Sequence, residues 1–173
     1  MISIKIEDNN IDLLEITMSN IDIVINLHKI CWLETYKNLY PSKSFLYPSS
    51  DELNSYWAKK VGNNINENYI INFNNIAIGF ISFGCNGIAN NSTELFSFYI
   101  LKYFQRNKIG TEIFSTLFHR NPKFSKIIIN VLSLNPSLDF YFKIGGQVKF
   151  KSSENFNDQE MEVITLEIPT IKF

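Results

Sequence analysis

The sequence predicts an α+β domain built on a mixed, mostly antiparallel central sheet of about seven strands, with four helices. Segments with the apolar pattern of strands and segments with a helical period follow one another in the order β-α-α-β-β-β-α-β-α-β-β. Three strands in succession favour antiparallel pairing, and the two strand–helix units after them favour a mixed sheet over a doubly wound parallel one. No internal repeat and no Pro/Ser-rich linker divides the 173 residues, so we expect one domain over residues 1–173.

The N-terminal elements precede these three strands. Ile21, Val24 and Ile25 recur at helical spacing and indicate an amphipathic helix. Ser19 suits the N-cap of this helix, with Asp22 as its capping-box partner. The predicted elements are a strand at 11–17 with a candidate strand at 2–6 before it, and helices at about 20–37 and 50–61.

Turn residues separate the later elements. Asn74-Asn75 joins two strands, and both asparagines tolerate the positive φ that a tight hairpin turn requires. Asn135-Pro136 suits a helix opening, with asparagine as the cap and proline at the first helical position, and Gly145-Gly146 suits its end. The predicted elements are strands at 68–73, 76–84 and 93–101, a helix at 109–119, a strand at 126–132, the short helix, and strands at about 147–152 and 160–168.

Composition and charge exclude several classes of function. A net charge of -1 with 45% hydrophobic residues favours a buried core and argues against a general nucleic-acid binder. No apolar run reaches the ~20 residues of a membrane-spanning helix, and the N-terminus lacks the apolar region of a secretion signal. We therefore expect a cytoplasmic protein with no nucleic-acid or membrane partner. Cys31 and Cys85 join no cluster with metal-ligand spacing, so we expect free thiols and no metal.

A basic loop lies between the strand at 93–101 and the helix at 109–119. Lys102, Arg106 and Lys108 crowd this loop, although the whole chain has a net charge of only -1. The first turn of a helix leaves its N–H groups free and carries about +0.5 charge, so such a loop suits a phosphate-bearing ligand. The spacing fits neither a Walker A loop nor a dinucleotide-binding loop. A surface loop with solvated lysines and a nucleotide site that prefers ATP to coenzyme A are the alternatives.

The loop resembles the acyl-CoA signature of GNAT-type N-acetyltransferases. This signature is an apolar residue, four others, and then [RQ]-x-x-G-x-[GA], which Ile100, Gln105 and Gly110 match here. Lys108 stands where the family usually has the first glycine. We expect the Lys108 N–H to serve as a donor only if its backbone avoids the positive φ that glycine tolerates freely.

Residues 134–146 resemble the C-terminal helix signature of the same family. The matching residues are Phe140, Tyr141, Lys143 and Gly145. Gly146 replaces the usual aromatic residue, and the family asparagine would fall at Leu134, whereas the asparagine here is Asn135. Asn135 is therefore either a pantetheine contact or only a helix cap. The order of elements along nearly the whole chain is similar to that of GNAT domains.

The resemblance implies transfer of an acetyl group from acetyl-CoA to a primary amine by direct attack. It implies Glu94 as the base, directly or through water, and Tyr141 as the acid toward the CoA thiolate. Backbone N–H groups from Phe98 to Ile100 are implied to hold the oxyanion, and this segment to pair with the pantetheine arm as an extra strand. The residues implied to bind coenzyme A are Phe98, Ile100, Gln105, Arg106, Asn107, Lys108, Ile109, Gly110, Thr111, Asn135 and Lys143.

The chemistry of acetyl transfer fits these residue types. An alkyl amine with a pKa of ~10.4 must lose a proton before it attacks, and a thiolate leaves more easily when it is protonated. Apolar neighbours make a carboxylate such as Glu94 a better proton acceptor. Asn130 occupies the position of a second family base and accepts no proton usefully. A solvated glutamate at a strand edge and a tyrosine packed in the core are the alternatives for Glu94 and Tyr141.

The sequence leaves the acceptor amine open. Trp32, Tyr36 and Tyr40 lie in the region that forms part of the acceptor pocket in GNAT proteins, where cation–π contacts would suit an amine. Small-molecule amines and peptide or protein amines are both consistent with the sequence. His28 lies on the apolar face of the first helix and is interpreted as a core histidine. A non-catalytic acyl-CoA-binding sensor is the alternative to an enzyme, and the C-terminal strands leave a homodimer open.

Overall fold

The computed structural model describes residues 1–6, 9–37, 39, 48–85, 92–119, 123–156 and 159–170. The strands are β1 (Ile2–Ile6), β2 (Asn9–Glu15), β3 (Asn66–Phe73), β4 (Ile76–Gly84), β5 (Ser92–Ile100), β6 (Lys126–Leu132), β7 (Gln147–Phe156) and β8 (Gln159–Pro169). The helices are α1 (Ile21–Tyr36), α2 (Ser50–Val61), α3 (Ile109–Phe114) and α4 (Leu138–Lys143), with a 3-10 turn at Lys102–Phe104 and a π-helical turn at Ser115–His119.

The strands form one sheet in the order β1-β2-β3-β4-β5-β6-β8-β7. Every pair in this sheet is antiparallel except β5 with β6, which is parallel. The predicted α+β class with a mixed, mostly antiparallel sheet is confirmed. The sheet has eight strands and not about seven, because the candidate strand at 2–6 pairs with β2 at the edge.

Helices pack on both faces of the sheet. On one face, α1 and α2 bury Val24, Trp57 and Phe80 completely. On the other face, α3 buries Ile113 and Phe114 in a larger apolar cluster that also includes side chains of α4. Each such side chain contributes ~1.5–3 kcal/mol through removal of its apolar surface from water. The sheet between these two layers is the frame that positions the candidate site.

Several predicted turns and caps are confirmed. Asn74 and Asn75 have φ of 48° and 67°, as a tight hairpin turn between β3 and β4 requires. At the end of α4, Gly145 has a φ of 95°, and the Gly146 N–H donates to the Tyr141 carbonyl at 2.8 Å. This is the helix stop that the two glycines predict, because glycine adopts the left-handed conformation at low cost.

The predicted caps of α1 and α4 are wrong. Asn20, not Ser19, is the N-cap residue of α1, and its side chain accepts from the Thr17 N–H at 2.8 Å. The α4 helix begins at Leu138, because the Asn135 side chain accepts from the Ser137 N–H at 2.8 Å and holds a turn before the helix. In both places a polar side chain stabilises the turn that precedes the helix and not the first helical turn.

None of the described helices is long and apolar enough to cross a membrane.

We expect Gly79→Ala to lower the free energy of unfolding by ~1–3 kcal/mol, because a Cβ at Gly79 would lie 2.2 Å from the Tyr99 carbonyl oxygen. Urea denaturation measures this difference. Gly110→Ala is the matched control, since its Cβ would meet no atom closer than Phe140 Cε2 at 3.5 Å, an ordinary contact. Equal stability of the two variants would contradict the close approach of β4 to the end of β5.

Candidate active site

The sheet opens between β5 and β6. In the described part of the chain, only residues 92–95 of β5 pair with β6, and their partners are residues 126–129. Beyond this paired part, β5 continues to Ile100 and β6 to Leu132. The β4–β5 register shifts at the same point, so that Phe96 is an extra residue on β5. Such a bulge bends a strand away from its neighbour. The second half of β5 therefore lies beside an opening in the sheet.

Four hydroxyl and amide side chains meet at this opening. The Asn135 amide donates to the Tyr36 hydroxyl at 2.9 Å, and the Tyr36 and Tyr99 hydroxyls lie 3.3 Å apart. Burial, and then the neighbouring Tyr36, raise the pKa of Tyr141. These residues come from α1, β5, the turn after β6, and α4. The structure thus brings three predicted site residues, Tyr36, Asn135 and Tyr141, together across the chain.

Tyr99 is the residue of this cluster that sequence reasoning missed. Burial raises its pKa well above the ordinary value, and Tyr36 and Tyr141 add to this effect. It follows Phe98 within an apolar run, and a tyrosine in such a run is usually interpreted as a core residue. The available signal was the alternation along β5, which places Tyr99 on the face opposite to Phe98 and Ile100.

Glu94 lies half-buried in the first part of β5, on the α2 side of the sheet. The Asn130 amide donates to Glu94 Oε1 at 3.1 Å, and the Thr165 hydroxyl donates to Asn130 Oδ1 at 2.7 Å. The sequence analysis noted only that Asn130 cannot act as a base. Its hydrogen bond to Glu94 could not be predicted, because it depends on the register between β5 and β6. Asn130 fixes the orientation of the carboxylate.

Glu94 and the tyrosine cluster are separated along the strand. Five residues at ~3.3 Å each place Tyr99 roughly 15 Å from Glu94 along β5. Burial raises the pKa of Tyr56 and lowers that of Lys60 on α2, and the charge of the nearby Glu94 adds to the first shift and opposes the second. Glu94 therefore does not contact the tyrosine cluster.

The loop before α3 has an unusual backbone. Arg106 and Lys108 have φ of 66° and 61°, while Asn107 between them does not have a positive φ. Alternating signs of φ turn successive N–H groups to the same side and form a concavity that binds anions. The expectation that Lys108 must avoid positive φ is wrong, since it adopts the conformation of the glycine that it replaces. This conformation costs a non-glycine residue roughly 1–2 kcal/mol.

Neighbouring side chains hold this loop in place. The Gln105 amide donates to the Ile100 carbonyl at 2.7 Å, and the Glu34 carboxylate of α1 accepts from the Lys102 N–H at 2.9 Å. Gly110 faces the ring of Phe140, which ties the loop to α4. The loop is thus fixed at both of its ends to elements that line the opening.

The other predicted coenzyme contacts differ in burial. Ile109 is buried, and Phe98 and Ile100 are partly buried against the larger apolar cluster. The exposed members of the set are Gln105, Arg106, Asn107, Lys108, Thr111 and Lys143. The exposed side chains lie where a ligand in solvent can reach them.

The predicted acceptor residues lie partly in the described structure. The rings of Trp32 and Tyr36 pack with centroids 4.7 Å apart at the end of α1. Tyr40 lies outside the described residues. Burial raises the pKa of the Cys31 thiol to about 12, with a contribution from Glu34, so this cysteine is kept as a thiol. The described residues contain no group of three or more His, Cys, Asp or Glu side chains that could hold a metal ion.

His28 packs in the core of the α1 face. Its Nδ1 accepts from the Trp57 indole at 3.2 Å, and its ring contacts Phe80 with centroids 5.0 Å apart. Burial lowers the pKa of His28 from 6.5 to about 4. The buried and hydrogen-bonded ring agrees with the interpretation of His28 as a core histidine.

We expect the protein to lose about 3 kcal/mol of stability from His28 alone between pH 6.5 and pH 4. In this interval the unfolded chain binds a proton at His28 that the folded chain does not, so stability falls as the pH falls. Urea midpoints of the wild type and of His28→Gln, measured across this interval, test the effect. The variant should show a flatter curve. Parallel curves would contradict it.

The fold is that of known acetyltransferases. No family model and no curated protein matches the sequence. Among solved structures, PaiA N-acetyltransferase from Thermoplasma acidophilum in complex with coenzyme A is 19% identical, with 92% of this chain and 98% of that chain covered and a TM-score of 0.67. A spermidine N-acetyltransferase SpeG chimera from Vibrio cholerae and hSSAT is 20% identical, with 92% and 95% covered and a TM-score of 0.62.

A probable GNAT-family acetyltransferase from Chromobacterium violaceum has a TM-score of 0.70 at 13% identity, with 97% of this chain and 91% of that chain covered. The chain therefore has the fold of the GNAT superfamily of N-acetyltransferases. The three-dimensional likeness extends over nearly the whole chain, whereas the two sequence motifs lie at residues 100–110 and 134–146.

Proposed function

We propose that the protein transfers an acetyl group from acetyl-CoA to a primary amine. The observation that supports this most directly is the opening between β5 and β6, with the anion-binding loop at one end and the tyrosine cluster inside. A thioester with a long polar arm and a diphosphate needs an extended groove that ends in a phosphate site. The CoA-bound acetyltransferase among the similar structures supports the same ligand.

Coenzyme A would bind along the opening and the loop. The backbone N–H groups from Arg106 to Thr111 would donate to the diphosphate, with Arg106, Lys108 and Lys143 supplying positive charge. The pantetheine arm would pair with the backbone from Phe98 to Ile100 as an added strand, because β6 does not pair with this segment. The Asn135 amide donates one N–H to the Tyr36 hydroxyl, and its second N–H would donate to the same arm.

Glu94 would accept the proton of the ammonium group through a water. Asn130 holds one carboxylate oxygen, so the other is oriented by the same hydrogen bond. The free amine attacks the thioester carbonyl carbon, and the carbon–oxygen π electrons move to the oxygen. N–H groups between Phe98 and Ile100 stabilise this oxyanion. Its collapse breaks the carbon–sulfur bond and expels the CoA thiolate, and the former amine nitrogen loses its remaining extra proton to solvent, which leaves the amide.

Tyr141 would donate its phenol hydrogen to the departing thiolate. Because burial raises its pKa, the phenol stays protonated at neutral pH. A phenol is a weaker acid than an ordinary thiol, whose pKa is about 8.5, and the burial of Tyr141 increases this difference. Tyr141 therefore stabilises the thiolate first by a hydrogen bond, and the thiol receives its proton finally from solvent.

The acceptor would be a small or peptide-borne primary amine. The spermidine enzyme among the similar structures acts on such an amine. The rings of Trp32 and Tyr36 at the end of α1 would form an aromatic wall on the acceptor side.

Thiol release tests the proposal. The purified protein is mixed with acetyl-CoA and a panel of amines, and free CoA thiol is followed with a thiol reagent. Amine-dependent release is the expected result. Binding of coenzyme A without release from any amine would identify a non-catalytic sensor instead, and tighter binding of ATP than of coenzyme A would identify a nucleotide site.

A further inference from the structure

Lys60 has an unusual environment beside the proposed base. Its ammonium nitrogen lies 3.1 Å from the centroid of the Phe96 ring and 5.7 Å from that of the Tyr56 ring. Phe96 is the extra residue of the β5 bulge, two positions after Glu94. The bulge therefore turns an aromatic ring toward the end of α2 and fixes the lysine over it.

The ammonium group of Lys60 is half-buried. The ion pairs formed within the described residues do not include it. Its backbone carbonyl accepts from the Asn68 amide at 3.1 Å, which fixes the last turn of α2. Burial lowers the pKa of Lys60 to about 8, and the charge of Glu94 opposes this shift. The side chain is thus mostly an ammonium at pH 7. It lies over the ring of Phe96, and part of its surface is open to solvent.

Lys60 and Glu94 together present opposite charges on the α2 side of β5. A polyamine acceptor carries several ammonium groups, and Lys60 would repel the additional ones. For an acceptor with an ammonium and a nearby anion, Glu94 and Lys60 would instead offer an opposite charge to each of the two groups. Tyr56, whose hydroxyl is hydrogen-bonded to Ser97, lies near both of these residues.

We infer that Lys60 binds an anionic group of the acceptor, and that the acceptors are amines with a carboxylate or phosphate close to the amino group, such as amino acids. The inference rests on the proposed function and specifies the substrate class of the same site. Lys60 determines specificity, while Glu94 takes the proton. A carboxylate and a phosphate offer the same chemistry to the ammonium, so the test includes both.

The experiment compares amino acids with their carboxamides, and O-phosphoethanolamine with ethanolamine, in acetyl-transfer assays of the wild type, Lys60→Met and Lys60→Arg. Lys60→Met should lower kcat/KM for the anionic acceptors by about 10- to 100-fold, the range of a charged hydrogen bond, and change the neutral acceptors by less than about 3-fold. Lys60→Arg should keep most of the preference. Lys59→Met, on the exposed neighbouring position of the same helix, is the matched control.

The ratio of variant to wild-type rates for each acceptor cancels differences in amine reactivity. Equal losses for anionic and neutral acceptors, or no loss, would overturn the inference. If Lys60→Met does not fold, Lys60→Gln takes its place in the same comparison of ratios, and equal ratios for the anionic and neutral acceptors overturn the inference. Thiol release with none of the amines is a different result, because it removes the proposed transferase function itself.

Discussion

Glu94→Gln should lower kcat/KM for acetyl transfer by about 10²–10⁴-fold, the usual contribution of a general base. Glutamine keeps the size of the side chain and its contact with Asn130, but it cannot accept a proton. The loss should be largest at a pH where the amine is mostly an ammonium.

Coenzyme A binding provides the control for this variant. The Kd of Glu94→Gln for coenzyme A should stay within about 3-fold of the wild type, since Glu94 lies on the α2 side of the sheet, away from the loop before α3. Glu154→Gln, on the exposed β7 strand, should be fully active. Wild-type kinetics in Glu94→Gln would show that another group removes the proton.

Tyr141→Phe should lower kcat by about 10- to 100-fold, the range of a hydrogen bond to a charged group, with little change in the KM for acetyl-CoA. The substitution removes only the hydroxyl, so the ring keeps its packing with Phe140, whose centroid lies 5.4 Å away. The departing thiolate then loses its hydrogen-bond donor. Because the phenol is protonated throughout the neutral range, the pH profile of the residual activity should keep the shape of the wild-type profile.

Tyr69→Phe is the matched control for this loss. It also removes a phenol hydroxyl with a hydrogen bond, to Glu67 at 3.1 Å, but on β3 and outside the opening. Thermal unfolding of both variants shows whether the fold is intact. A folded Tyr141→Phe protein with wild-type kcat would assign Tyr141 to packing alone.

Most of the fold follows from sequence patterns. The strand at 126–132 and the strand at 76–84 have the predicted bounds, because each is a continuous apolar run between polar turns. The helix caps failed for a common reason. Ser19 and Asn135 are residue types that suit caps and turns equally, and only the three-dimensional path decides which backbone N–H lies within reach.

The candidate site was less predictable, since its geometry arises from contacts distant in the sequence. Tyr36 and Asn135 are 99 positions apart and meet only because α1 reaches the opening in the sheet. Lys60 lies in no sequence motif, and its position over Phe96 depends on a bulge that no sequence pattern predicts. Motif resemblance identified which residue types to examine, and the strand register determined which of them lie together.

The central claim is that the loop from Gln105 to Thr111 holds the diphosphate of coenzyme A at the end of the β5–β6 opening. A crystal structure of the complex with coenzyme A measures this directly. The account predicts a diphosphate that accepts hydrogen bonds from backbone N–H groups of this loop, and a pantetheine arm paired with Phe98–Ile100. A diphosphate bound elsewhere, or no bound coenzyme at saturating concentration, would contradict it.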